Sequence, residues 1–69
     1  MSPVLELVHE VELLERQAAE LMKMPEEEAL PMLVDWRARH ESIWNQPNLP
    51  KNLDQRLEKI ETQITNHFG

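Results

Sequence analysis

Apolar residues along the first stretch of the chain recur at alternating spacings of three and four: Val4, Leu7, Val11, Leu14, Ala18 and Leu21. That is the seam of a packed amphipathic helix, and it predicts α-helix from Pro3 to about Met24. Val8 and Met22 widen the stripe, while Glu6, Glu10, Gln17 and Glu20 lie toward the other side. Leu5 and Leu13 fall off the stripe and read as isolated surface leucines. Ser2 before Pro3 supplies a start signal, since the hydroxyl can accept from an orphan N–H and proline has the φ of a first helical residue.

Met24-Pro25 ends this pattern, and Glu26, Glu27 and Glu28 suit the positive end of a new helix. Pro31 removes a backbone donor and disfavours α geometry at Leu30. The expectation is therefore a short helical turn over 25–29, then a main helix from about Pro31 to Trp44, with a kinked continuous helix as the alternative. In either form Ala29, Leu33, Trp36, His40 and Ile43 share one face, flanked by Met32 and Trp44. The prolines and asparagines of residues 45–50 make a chain-reversing turn. Beyond it Asn52 is the expected cap, with Gln55 placed as in a capping box, and Leu53, Leu57, Ile60, Ile64 and Phe68 form a narrow seam. No stretch alternates apolar and polar residues long enough for a strand. The fold class expected is all-α: a small antiparallel three-helix bundle, or a helical hairpin plus a third helix, as a single domain with helices at about 3–24, 25/31–44 and 52–68.

A chain of 69 residues buries only about 60% of the surface it exposes when unfolded, so its helices must share every apolar residue or borrow from a second chain. Its 13 acidic residues outnumber 7 basic ones, and the imbalance is local: residues 1–34 hold eight glutamates against Arg16 and Lys23, whereas residues 35–69 are balanced. A negative face repels phosphate backbones and anionic headgroups, which argues against nucleic acid and membrane surfaces except at the small Arg37/Arg39 patch. It suits a basic protein surface, or simply keeps the domain soluble. Absence of cysteine excludes a disulfide framework and points to a reducing compartment, the cytoplasm. Met1-Ser2-Pro3 lacks a basic leader, and no apolar run reaches the roughly 20 residues of a membrane span, so the chain reads as mature.

Candidate chemistry is sparse. Glu6 and His9 have the Glu-x-x-His spacing of di-metal bundles, but a single copy on the side away from the seam reads as solvated side chains. His9-Glu10 lacks a second histidine at Leu13, so it is not a zinc-protease motif. His40, central on an apolar face, reads as a hydrogen-bonded core residue before a ligand or switch. Ser2 and Ser42 have no nucleophile elbow around them. The expectation is no catalytic residue, no metal and no cofactor. Trp36 and Trp44 lie about two turns apart on one side of the second helix; Trp36 reads as core and Trp44 as interface. Arg37 and Arg39 could hold an acidic partner or pair with Glu41 and Asp35. Partner binding is assigned to Leu7, Val11, Leu14, Leu21, Trp36 and Trp44.

The amphipathic first helix, the short acidic break and the run Ala29-Leu30-Pro31-Met32-Leu33-Val34-Asp35-Trp36-Arg37 resemble the first two helices of flagellar export chaperones of the FliT type. The spaced leucines and following arginine of that family are matched by Leu30, Leu33 and Arg37. The resemblance implies a cytoplasmic all-helical chaperone that shields the amphipathic end of an export substrate, such as the filament cap protein, and that touches export or regulatory proteins. The chain is shorter than members of that family, with no room for a fourth, regulatory helix, and Pro31 departs from the pattern. A short secretion-system co-chaperone fits the length better. Composition and periodicity support a non-enzymatic module that lays apolar helix faces against a partner's helix, as a heteromer or homodimer. Two alternatives stand beside it. One is an acidic inhibitor or anti-regulator, of the phage-encoded kind, on a basic site of an enzyme or polymerase. The other is a homo-oligomeric helical bundle.

Overall fold

Three apolar stripes fold into three helices: α1 (Pro3–Lys23), α2 (Glu26–Trp44) and α3 (Lys51–Phe68). The computed structural model describes residues 3–69, and the start signal at Ser2 lies outside them. No strand occurs among the described residues. Short links at 24–25 and 45–50 reverse the chain twice, so α2 runs antiparallel to α1 and α3 returns alongside α1. α1 packs along both other helices, which meet each other much more sparsely. The architecture is an all-α three-helix bundle with α1 as its common wall.

The core takes four residues from each helix: Val11, Leu14, Ala18 and Leu21; Ala29, Leu33, Trp36 and Ile43; Leu53, Leu57, Ile60 and Ile64. Each set follows the three/four spacing that places its members on one helical face, with buried His40 filling the step between Trp36 and Ile43. Phe68, Met22, Trp44 and Leu49 are partly buried against this cluster. The expected start of the α1 seam is a correction: Val4 is 48% exposed, and Leu7 and Val8 are only half-buried. Glu15 pairs with Arg56 across the two parallel helices, which brings Lys51, where α3 begins, roughly level with Glu10. The first turns of α1 therefore stand beyond α3 and have only the end of α2 and the following turn to pack against.

α2 is one continuous helix through Pro31, so the expected break before Pro31 does not form and the continuous alternative holds. A continuous helix keeps Ala29 and Leu33 in phase on the core face, which a break between them would lose. Pro31 itself is exposed, so the Glu27 carbonyl that loses its intrahelical donor faces water rather than the core.

The N-cap of α3 lies two residues earlier than the capping-box reading implies. Pro50, at φ −60° and ψ 145°, is its N-cap, no side chain caps it, and Asn52 lies exposed in the first turn. The Pro50 carbonyl accepts from the N–H groups of Leu53 and Asp54 at 3.1 and 3.0 Å. Pro25 starts α2 in the same way, accepting from Glu28 and Ala29 at 3.0 Å. In both places the ring fixes φ while an extended ψ aims the carbonyl into the first turn, so no cap side chain is needed for that bond.

Two substitutions test this account. Leu57, with none of its surface exposed, should lose about 2–5 kcal/mol on truncation to Ala, enough to leave so small a domain largely unfolded in urea titrations followed by circular dichroism. Pro31→Ala restores a backbone donor on the solvent side and should gain about 1–2 kcal/mol net of the greater freedom of the unfolded chain. A lowered melting temperature for Pro31→Ala would count against the continuous helix.

Candidate functional site

Of the six residues assigned to partner binding, the structure places Val11, Leu14, Leu21 and Trp36 in the chain's own core. Only Leu7 and Trp44 keep part of their surface. A partner reaches Val11 and Leu14 only by displacing α2 or α3, while Leu21 and Trp36 show an edge at the surface between α1 and α2. The stripe that sequence periodicity finds is thus occupied internally, because amphipathicity is the same whether the covering helix belongs to this chain or another.

Along α2 the aromatic side chains at Trp36, His40 and Trp44 are spaced by one turn each and form a ladder. The Trp36 and His40 rings stack with centroids 5.2 Å apart, and His40 meets Trp44 edge-on at 4.9 Å. Trp36 Nε1 donates to the Leu14 carbonyl of α1 at 2.9 Å. His40, 4% exposed, donates from Nε2 to the Leu57 carbonyl of α3 at 2.9 Å. Both acceptors are mid-helix carbonyls, whose second lone pair is open to such a bond. His40 is thus the hydrogen-bonded core histidine expected of it, and the ladder binds α2 to both neighbours.

Polar surface groups are arranged simply. Arg56 donates from Nε and Nη2 to the two oxygens of Glu15, at 3.1 Å from Nε. The hydrogen bond to Glu15 raises the guanidinium above its ordinary pKa, against the desolvation that lowers it. This is the only ion pair among the described residues; Arg37 and Arg39 do not pair with Glu41 or Asp35. Forty-one positions separate the partners of that pair, and no local pattern signals it. Glu6 and His9 are exposed. No group of three or more His, Asp or Glu side chains is placed to hold a metal among the described residues, and no helix there is long and apolar enough to cross a membrane.

What remains for a partner is the surface outside the core. Two grooves open at opposite ends of the seam between α1 and α2. One has Leu21, Met24, Met32 and Trp36 as its apolar floor, beside Glu20, Asp35 and Arg39. The other is lined by Leu5, Leu7 and Ile43, beside Glu6 and Glu10. Sequence reasoning took Leu5 as a surface leucine and Met32 as a flank of the core face. Met32 is 53% exposed, and the grooves they line are visible only once the two helices are set side by side. Leu30 and Val34 are exposed farther round α2, toward the side away from these grooves.

Trp36→Phe removes the donor to Leu14 and part of the indole volume, and should destabilise the fold by about 2 kcal/mol, read as a shift in the urea midpoint with an unchanged slope. No protein-family model, curated protein or solved structure matches this chain.

Proposed function

We propose that this chain is a non-enzymatic helix-binding module, in the manner the resemblance to flagellar export chaperones implies: it covers an amphipathic segment of a partner protein, in the cytoplasm and as a heteromer. The observation that carries this reading is the apolar surface left over once the core is complete. Met32 and Leu5, 53% and 57% exposed, are large apolar side chains that line the two grooves between α1 and α2 and stay outside the core. Surface methionines beside an indole are adaptable contacts of the kind helix-binding grooves use.

The exposed glutamates of α1 and of the first turn of α2 favour a second reading, in which the acidic surface itself occupies a basic site on an enzyme or polymerase. Ionic strength separates the two: apolar packing is insensitive to moderate salt, whereas an acidic mimic loses its partner as screening rises.

The test is direct binding between the purified chain and a purified partner identified by cross-linking. Met32→Asp should keep the helical circular dichroism and melting temperature, because the side chain is exposed, and should weaken binding by roughly tenfold or more. Leu14→Asp should unfold the chain. Undiminished binding by a folded Met32→Asp/Leu5→Asp double variant would overturn the reading.

A further inference from the structure

We infer that the seam between α1 and α2, on the side away from α3, is a docking groove for a basic amphipathic helix of a partner protein. This rests on the helix-binding reading above and names the site and the chemistry of its occupant.

The α1 flank that faces α3 carries Glu15, Ala19 and Met22. On the opposite flank Glu6, Glu10, Leu13, Gln17 and Glu20 follow one another at spacings of four and three along α1, and Met24 extends the stripe into the link that follows. Both grooves described above lie on this stripe. About 15 Å of α1 separates Glu10 from Glu20, at the usual rise per residue. Half-exposed Leu13 fills the interval on the same flank, so the seam offers apolar footing from Leu7 to Met24. One helix can lie along it as α3 lies along the other side of α1.

The charge on this seam selects the occupant. Glu6, Glu10, Glu20 and Asp35 line it against Arg39 and the imidazole of His9, and all six are exposed. A helix laid there must bring an apolar face for Met24, Met32 and Leu13 and cationic side chains for the carboxylates on either side. A second copy of this chain does not meet that description. Its α1 and the start of its α2 are themselves acidic, and the apolar face of its α3 is buried in its own core. Like charges brought together across a self-paired seam oppose association, so the partner is a different, basic protein.

The probe is a synthetic amphipathic helix of leucine and lysine, compared with a leucine/glutamate peptide having the same apolar face. Methionine-methyl and amide NMR shifts report where each binds, and calorimetry reports how tightly. The lysine peptide should bind with shifts concentrated at Met24, Met32 and Leu13, and Glu20→Lys/Asp35→Lys should weaken it by roughly tenfold. Glu41→Lys/Glu58→Lys makes the same change of net charge off the seam, at exposed positions, and should leave affinity within about twofold. Equal weakening by both double variants, shifts centred on α3, equal affinity for the two peptides, or no binding of the lysine peptide would each overturn the assignment. Failure here with partner binding still lost in Met32→Asp would remove the basic occupant and leave the helix-binding reading standing; loss of both would remove the reading itself.

Discussion

The bundle depends on one strip of α1, the face carrying Val11, Leu14, Ala18 and Leu21. α2 and α3 both pack on that strip and touch each other over much less of their length, so neither has an alternative surface on which to bury its apolar residues. In a chain this short the two outer helices are stable only together with the inner one. The small Ala18 at the centre of the strip matters as much as the leucines around it, because it lets the helices approach closely where larger side chains from both must interlock.

Within that frame α2 is the helix most in need of added definition, since proline and scattered charges weaken its apolar face. Hydrogen bonds from Trp36 to α1 and from His40 to α3 fix its rotation and its height against both neighbours at once. Such bonds add only about 1 kcal/mol each to net stability. Their greater effect is on uniqueness, because sliding α2 by one turn would leave a buried indole N–H and a buried imidazole N–H without acceptors.

Most of the fold was legible in the spacing of apolar residues, which identified Ala29, Leu33, Trp36, His40 and Ile43 as one face and placed Leu53 to Ile64 on another. Illegible were features that depend on how far one helix extends past the next. Val4 belongs to the α1 stripe by phase and is exposed because α3 starts too late to cover it. Pro31 looks like a break by local rules and is tolerated because its ring and the orphaned Glu27 carbonyl both face water. The surface available to a partner was the least legible part. Apolar periodicity points to the residues that bury first, and these form the core, while the second stripe on α1 is broken by Glu6, Glu10 and Glu20 and reads from sequence as an ordinary solvated flank.

Both tryptophans sit on the aromatic ladder of α2, and the chain has no tyrosine. Near-ultraviolet absorption and intrinsic emission therefore arise almost wholly from one patch, in contact with the imidazole of His40. Optical spectra of this protein are local reports on the meeting point of its three helices, silent about the protruding first turns of α1 and the far end of α3. An unfolding curve followed by emission should lag behind one followed by backbone signal wherever those ends fray first.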